Sequence, residues 1–179
     1  MCGIIGLISN NEIEKEKFIS LVTMLDHRGP DDKGVFFDDK IALGQTRLSI
    51  IDLSKDGHQP MLSQDEKYVI TFNGEIYNFA EIKKDLLLKG YIFNSKTDTE
   101  VILNGFIEYG EKIAEKLNGM FAFAIYDKLN DKVFFARDRS GMKPLYYYHS
   151  KTDFYFSSEV KALKHLSNEI NFDSKILFL

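Results

Sequence analysis

The chain has 179 residues, of which 44% are hydrophobic and 28% are charged, and its formal net charge is -4. These values are typical of one globular domain over 1–179 with a core of its own, and they exclude the strongly basic surface that binds nucleic acids. No apolar stretch reaches the ~18 residues of a membrane-spanning helix, and no secretory signal pattern opens the chain. We therefore expect a cytoplasmic domain that binds neither nucleic acids nor membranes.

The first third of the chain alternates between the sequence pattern of strands and that of a helix. Consecutive apolar residues follow Cys2, which is typical of a buried strand. Further along, apolar residues recur at steps of three and four, which is typical of an amphipathic helix, until Gly29 and Pro30 end it. The predicted elements are a strand at 2–8, a helix at 13–26, strands at 35–37 and 41–48, and a polar loop at 54–64.

The rest of the chain contains helices followed by closely spaced strands. Short loops between successive strands predict β-hairpins and therefore antiparallel pairing. Because the helices cluster apart from the hairpins, we predict an α+β fold rather than a doubly wound sheet. The predicted elements are a strand at 68–72, helices at 79–89, 99–109 and 113–117, strands at 120–126, 132–136, 145–148 and 154–156, and a helix at 158–166.

The single cysteine occupies an informative position. Cys2 directly follows Met1, and a side chain this small usually allows an aminopeptidase to remove the methionine. The processed residue would carry a thiol, with a pKa of ~8.5, beside an α-amine, with a pKa of ~7.7–8.0, that can accept its proton. Cys2 is therefore a candidate N-terminal nucleophile. The alternative is an ordinary small hydrophobic residue at the start of a strand.

Three further segments place polar residues where a strand is expected to end in a loop. Together they provide what a thiol needs to attack the side-chain amide of an amino acid. The Asn73 side chain and the Gly74 backbone N–H form a candidate oxyanion hole. Arg47 offers a bidentate fork for a carboxylate, and the carboxylates of Glu75 and Asp98 could hold an ammonium group.

Each of these residues also has a purely structural interpretation. Asn-Gly is foremost a turn dipeptide, so Asn73 and Gly74 could simply reverse the chain. Arg47 could form a surface ion pair, Asp98 could cap a helix, and Glu75 could be a solvated charge.

Eight short segments, in order along the chain, carry a resemblance to a known family. They are M-C-G-I-I-G at 1–6, H-R-G-P-D at 27–31, R-L-S-I-I-D at 47–52, F-N-G-E-I-Y-N at 72–78, T-D-T-E-V-I at 97–102, G-M-F-A-F-A at 119–124, R-D-R-S-G-M-K-P-L-Y-Y at 137–147 and S-S-E-V-K-A-L at 157–163. In these segments the chain resembles the class II glutamine amidotransferases, which use an N-terminal nucleophile. It is most similar to the glutaminase domain of glutamine-hydrolysing asparagine synthetase.

The resemblance implies a fold and a set of roles. The fold is the four-layer αββα sandwich of two antiparallel sheets found in N-terminal-nucleophile hydrolases. The implied roles are Cys2 as nucleophile, Asn73 and Gly74 as oxyanion donors, Arg47 for the substrate α-carboxylate, Glu75 and Asp98 for its α-amine, and Ile51 as a further substrate contact. His27 is predicted to be structural, and the segment 137–139 to be a charged turn with a possible interface role.

The resemblance also implies substrate, cofactors and partners. L-glutamine would be hydrolysed to glutamate and ammonia through a thioester on Cys2, with no cofactor and no metal for this step. ATP and Mg are expected only in a synthetase domain, whose Ser-Gly-Gly-x-Asp-Ser type of loop we do not find in these 179 residues. That module would act in cis or in trans, and a homodimer is possible. The apolar end at 176–179 suggests truncation, a split gene or burial against a partner.

Three hypotheses therefore differ in what happens to the ammonia. The first is the glutaminase half of an asparagine synthetase-like enzyme. The second is a glutaminase that feeds a different amidation, such as that of a sugar or a cell-surface precursor. The third is a non-catalytic remnant that serves as a partner-binding module.

Overall fold

Nine strands and five α-helices make up residues 1–166, the part of the chain that this computed structural model describes. Short 3₁₀ helices at Lys55–Gly57 and Gly110–Lys112 supplement them. The apolar segment 176–179 lies outside the described residues. In chain order the elements are β1 (Gly3–Ser9), α1 (Lys15–Thr23), β2 (Asp32–Asp38), β3 (Ile41–Arg47), β4 (Met61–Leu62), β5 (Tyr68–Ile76), α2 (Phe79–Leu88), α3 (Asp98–Tyr109), α4 (Ile113–Lys116), β6 (Gly119–Asp127), β7 (Lys132–Arg137), β8 (Tyr146–His149), β9 (Asp153–Ser157) and α5 (Val160–Leu166).

The strands form two sheets in which every pair of neighbouring strands is antiparallel. The first sheet has the order β2-β3-β1-β9-β8, and the second has the order β4-β5-β6-β7. The prediction of antiparallel hairpins is therefore confirmed.

The two sheets pack face to face, with helices on both outer sides. Ile4 of β1 and Val69 of β5 share the cluster between the sheets. Phe18 of α1 and Leu163 of α5 cover the outer face of the first sheet. Ile102 of α3 covers the outer face of the second sheet, and α2 packs against α3 in the same helical layer. The predicted four-layer αββα sandwich is thus confirmed.

The apolar run behind Cys2 is explained by this layering. Successive side chains of a strand point to opposite faces of its sheet. Ile4 therefore faces the second sheet while Ile5 faces α1, and both are completely buried. Full burial of such a side chain stabilises the fold by roughly 1.5–3 kcal/mol. A central strand covered on both sides therefore needs a continuous apolar run rather than an alternating one.

The structure corrects the prediction that a strand ends at residue 72. β5 continues to Ile76, and Asn73 and Gly74 pair with Ala122 and Phe121 of β6. The turn preference of Asn-Gly is outweighed because nine consecutive residue pairs join β5 to β6. The candidate oxyanion donors consequently lie on a regular strand and not in a turn.

Two smaller differences concern the ends of elements. The helix predicted over 13–26 is shorter, Lys15–Thr23, because hydrogen-bonded turns replace it up to Gly29. The predicted polar loop at 54–64 contains the two-residue strand β4, which is too short to give a sequence pattern. None of the helices in the described part of the chain has the length and apolar character needed to span a bilayer.

Candidate active site

One pocket collects most of the residues that the sequence singled out. It lies where the start of β1, the end of β3, the segment 48–57 and β5 meet the first residues of α3. Six of the seven predicted site residues line this pocket, namely Cys2, Arg47, Ile51, Gly74, Glu75 and Asp98. Cys2 and Asp98 lie 96 positions apart in sequence, so the fold and not local sequence brings these residues together.

The thiol of Cys2 is half-buried at the pocket wall. Its Sγ accepts a hydrogen bond from the Leu48 N–H at 3.4 Å and lies 3.7 Å from the Leu48 carbonyl oxygen. Burial raises the pKa of this thiol, although the Leu48 backbone bond and the positive N-terminus act in the opposite direction. The group is therefore a thiol at neutral pH and needs a base before it can attack. Met1 is 58% exposed, and until it is removed the Cys2 nitrogen is an amide without basic character.

An ion-pair network holds the backbone of Cys2 from behind. Arg28 Nε donates to the Cys2 carbonyl oxygen at 2.9 Å, and its Nη1 donates to Glu159 at 3.2 Å. His27 Nε2 lies 2.7 Å from the same Glu159 oxygen. Burial alone would raise the pKa of Glu159, but its bonds with His27, Lys161 and Arg28 hold that pKa below the ordinary value. His27 therefore belongs to this network and does not reach into the pocket.

The Gly74 backbone N–H faces the pocket because of the pairing of its strand. Opposite residues of an antiparallel pair alternate between hydrogen-bonded and non-bonded pairs. Phe121, opposite Gly74, donates its N–H to Asp138 Oδ2 at 3.2 Å and accepts from the Asp138 N–H at 2.8 Å. Both backbone groups of Phe121 thus point toward β7. The N–H of Gly74 must point the other way, to the edge of β5 that lines the pocket.

A side chain at Gly74 could not be accommodated. A Cβ there would collide with the Met120 carbonyl oxygen and lie 2.7 Å from the Phe72 ring and 2.8 Å from the Phe121 Cα. Two of these three neighbours are backbone atoms of β6, which cannot move without disturbing the sheet. Glycine is therefore required at this position for packing as well as for close approach of a ligand.

Asn73 is the predicted site residue that does not contribute to the pocket surface. It is only 1% exposed, and its Nδ2 has no hydrogen-bond partner among residues 1–166. By strand alternation its side chain shares a face with Thr71, whose hydroxyl donates to the Gly44 carbonyl oxygen of the first sheet. The Asn73 amide thus points toward the sheet that carries Cys2. A buried donor without an acceptor is rare in proteins and fits a group reserved for a ligand.

Arg47 is buried with its guanidinium beneath the segment 48–57. Nη1 donates to the Ser54 carbonyl oxygen at 3.0 Å, and Nη2 donates to that of Asp52. Arg47 is 7% exposed, so it is not the surface ion pair that was the alternative. The five N–H donors of a guanidinium exceed these two acceptors. The remaining donors are available to a carboxylate in the pocket.

Asp98 begins α3 as its first helical residue, whereas Thr97 caps the helix by accepting from the Glu100 N–H at 3.3 Å. Asp98 Oδ2 accepts from the Ile76 N–H at 2.9 Å, and the residue is 5% exposed. Burial raises the pKa of Asp98 to about 6, and the nearby charge of Glu75 adds to this effect. Two carboxylates that line one pocket favour a cationic ligand between them.

Several pocket residues were not found by sequence reasoning. Gln59, Phe72 and Thr99 line the pocket, yet Gln59 lies in the segment that was predicted to be a plain polar loop. No spacing or charge pattern marks a neutral amide of this kind. Only the two hydrogen bonds of its side chain, which depend on the tertiary fold, reveal that it is not a solvated loop residue.

No group of three or more His, Cys, Asp or Glu residues within 1–166 is arranged to hold a metal ion. Every contact described above is made by ordinary side chains and backbone. That the glutaminase step needs no cofactor stays a prediction.

Solved structures share this architecture. A glutamine phosphoribosylpyrophosphate amidotransferase of Bacillus subtilis, complexed with ADP and GMP, aligns with a TM-score of 0.79 and 22% identity over 92% of this chain and 43% of its own. An allosteric regulatory enzyme of purine biosynthesis aligns with a TM-score of 0.77 and 23% identity over the same shares. The chain therefore shares the fold of these two enzymes, in which two antiparallel sheets lie between layers of helices.

Sequence comparison gives the family. Residues 1–178 match the glutamine amidotransferase domain, and the chain belongs to that family. It is 43% identical to asparagine synthetase [glutamine-hydrolyzing] 1 of Bacillus subtilis over 99% of this chain and 29% of that protein. It is 41% identical to putative asparagine synthetase [glutamine-hydrolyzing] 2 of Methanocaldococcus jannaschii over 91% of this chain and 35% of that protein. The chain thus spans about a third of the length of these relatives.

Proposed function

We propose that this chain is the glutaminase half of an asparagine synthetase-like enzyme and hydrolyses L-glutamine to glutamate and ammonia. The observation that carries the proposal is the content of one pocket, whose lining includes Cys2, Arg47, Glu75 and Asp98 together. A cation and two carboxylates are complementary to the two charged groups of a free amino acid. The thiol then faces the side chain of that amino acid.

The proposed binding mode assigns each end of the substrate to one group of residues. The α-carboxylate binds Arg47, and the α-ammonium binds Glu75 and Asp98. Ile51, which is 38% exposed, would cover the aliphatic part of the glutamine side chain. Fixing both ends in this way holds the amide carbon against Cys2 Sγ, which is how positioning lowers the entropic part of the barrier.

The chemistry uses the processed N-terminus. After removal of Met1, the α-amine of Cys2 takes the thiol proton, and the thiolate attacks the amide carbon of glutamine. The negative charge on the amide oxygen is stabilised by the Asn73 Nδ2–H and the Gly74 N–H. The tetrahedral species collapses, the C–N bond breaks, and ammonia leaves with the proton from the α-amine. A water molecule, deprotonated by the same amine, then hydrolyses the thioester and releases glutamate and the free thiol.

The ammonia would be used by a second module. The relatives named above are about three times longer than this chain, and we propose that an ATP-dependent synthetase module, in cis or in trans, consumes the ammonia. ATP and Mg would be needed there and not in this pocket. A cytoplasmic location and a homodimer remain predictions.

The test of the glutaminase proposal is covalent labelling of the nucleophile. We expect the purified chain to lack Met1 and to gain one label from 6-diazo-5-oxo-L-norleucine, a glutamine analogue that alkylates such nucleophiles. Intact-mass spectrometry measures both changes. Excess L-glutamine should prevent labelling because it occupies the same pocket.

The control is Cys2→Ala, which removes the only thiol of the chain. This variant should keep the fold, take no label and release no ammonia from glutamine. Glutaminase turnover by Cys2→Ala would disprove the mechanism. A folded, processed wild-type chain that takes no label would instead favour the partner-binding remnant.

A further inference from the structure

The edge of β5 beyond its pairing with β4 carries three backbone N–H groups, on alternate residues, that point away from β6. Residues 72, 74 and 76 of this strand share one orientation, since every second residue of an antiparallel strand points its N–H to the same edge. β4 pairs with this edge only as far as Ile70. Beyond that point the described chain places no strand alongside it, and side chains take the place of a strand.

The first of the three groups is held by Gln59. The Phe72 N–H donates to Gln59 Oε1 at 2.7 Å, and Gln59 Nε2 donates to Thr99 Oγ1 at 3.0 Å. Gln59 is 5% exposed and Thr99 is 2% exposed. Both hydrogen bonds are therefore shielded from water, and Gln59 joins β5 to the start of α3 through a single side chain.

The third group is held from the same helix. The Ile76 N–H donates to Asp98 Oδ2 at 2.9 Å, and Asp98 is the neighbour of Thr99 in the first turn of α3. The two ends of the stretch 72–76 are thus tied to two consecutive residues of one helix. Only the central N–H, that of Gly74, is left facing the pocket.

The carbonyl group of Phe72 is fixed as well. It accepts from Gln45 Nε2 at 3.0 Å, and Gln45 is 1% exposed on β3. Both backbone hydrogen-bonding groups of Phe72 are therefore bonded by side-chain amides, the N–H by Gln59 and the carbonyl by Gln45. This arrangement leaves the backbone at Asn73 and Gly74 little freedom to shift.

We propose that Gln59 and Thr99 are positioning residues for the oxyanion hole, an inference that rests on the glutaminase function proposed above. They hold β5 at a fixed distance from α3. The Gly74 N–H, the Asn73 amide and the Asp98 carboxylate are thereby fixed relative to one another. Neither residue needs to touch the reacting atoms to affect the rate, because a displacement of about 1 Å can lower it roughly a hundredfold.

The test compares two pairs of variants in the full-length chain. Gln59→Met removes both hydrogen bonds at nearly constant volume, and Gln64→Met makes the same change at an exposed glutamine between β4 and β5. Thr99→Val removes only the acceptor for Gln59, whereas Thr99→Ser keeps the hydroxyl. Two quantities are measured for each variant, the kcat for L-glutamine hydrolysis and the Kd for L-glutamate, which binds without forming an oxyanion.

We expect Gln59→Met and Thr99→Val to lower kcat roughly tenfold to hundredfold while the Kd for L-glutamate stays within about threefold. Thr99→Ser and Gln64→Met should retain the kcat of the wild type. If Gln59→Met does not fold, the two Thr99 variants give the answer alone, because valine and threonine have nearly the same shape.

Two results would overturn the inference while leaving the proposed function intact. The first is unchanged kcat in folded Gln59→Met or Thr99→Val. The second is a parallel loss of L-glutamate binding and of kcat, which would indicate a collapsed pocket instead of a displaced oxyanion hole. A wild-type chain that does not hydrolyse glutamine would contradict the proposed function itself, and the positioning role with it.

Discussion

At the scale of single residues, Asp98 combines burial with a proposed role in holding the substrate ammonium. Its pKa is raised to about 6 because the carboxyl group is buried. Protonation would remove the charge that attracts the ammonium. We therefore expect the KM for L-glutamine to rise as the pH falls through about 6, and steady-state kinetics between pH 5 and 8 measures it.

The matched variant is Asp98→Asn, which retains the shape without the charge. It should raise KM roughly tenfold or more at pH 7.5, since a charge-assisted hydrogen bond contributes about 1.5–3 kcal/mol. It should also abolish the dependence of KM on pH near 6. Asp39→Asn, at an exposed position, is the control, and an identical pH profile in both variants would contradict the role of Asp98.

The same pKa shift has a consequence for stability. The folded pKa of Asp98, about 6, lies above the reference value of 3.8. The folded state therefore binds this proton more tightly than the unfolded state. Protonated Asp98 stabilises the fold fully below pH 3.8, and this stabilisation is lost as the pH rises through 6. Asp98→Asn should thus be more stable than the substrate-free wild type above pH 6, by up to about 3 kcal/mol. Thermal unfolding measures this difference.

At the scale of elements, Asp138 organises the turn after β7. Its carboxylate accepts from the N–H groups of Met142 at 2.9 Å, Lys143 at 3.0 Å and Phe121 at 3.2 Å. Burial would raise its pKa, but these backbone bonds hold the pKa of Asp138 below its ordinary value. The charged turn that the sequence predicted at 137–139 is therefore centred on a buried anchor.

We expect Asp138→Asn to lower the free energy of unfolding by about 1–3 kcal/mol at pH 7, because an amide cannot accept all of these hydrogen bonds. Denaturant titration measures the loss. Asp39→Asn makes the same change in charge at an exposed position and should stay within about 0.5 kcal/mol of the wild type. Equal stability of the two variants would show that the turn does not depend on the carboxylate.

Comparison of particular elements shows what the sequence could and could not predict. The hairpin of β6 and β7 and the helix α3 were predicted to within a few residues, because their apolar periodicity reflects burial directly. β5 was predicted too short, because Asn73 and Gly74 have low strand propensity and together are typical of a turn. The sequence does not explain why Asn104 and Gly105 stand inside a helix. In the structure Asn104 donates to the Ile92 carbonyl oxygen, and a Cβ at Gly105 would lie 2.5 Å from Ile113.

The candidate site divides in the same way. Cys2 and the charged residues that line the pocket were singled out from the sequence, since thiols, guanidinium groups and carboxylates have a recognisable chemistry. Gln59 was not predicted, because its role depends on contacts with Phe72 and Thr99, which lie 13 and 40 positions away. Neutral amides acquire such roles only from tertiary structure.

At the scale of the whole molecule, the candidate site spans both sheets. Cys2 directly precedes β1 and Arg47 ends β3, both of the first sheet, whereas Asn73 and Gly74 belong to β5 of the second. The distance from Cys2 to Asn73 and Gly74 is thus set by the packing between the sheets. The outer helix α1 has no such influence, because it covers only the far side of the first sheet.

This arrangement predicts different effects for two leucines that are both almost completely buried. Leu43 packs between the sheets and Leu21 packs beneath α1. Leu43→Ala and Leu21→Ala should each cost about 2–5 kcal/mol of stability. Only Leu43→Ala should also lower kcat under conditions where both variants are folded. Glutaminase kinetics at low temperature tests this, and equal kcat values in the two variants would contradict the prediction.

The edge of β5 has one further consequence. An uncovered strand edge is a template on which a strand from another molecule can assemble, and long uncovered edges promote aggregation. Here the side chains of Gln59 and Asp98 occupy the hydrogen-bonding positions on either side of Gly74. A foreign strand would have to displace both before it could pair with a single remaining N–H. The protein can therefore keep the Gly74 N–H without a hydrogen-bond partner and still not expose a strand edge on which another molecule could assemble.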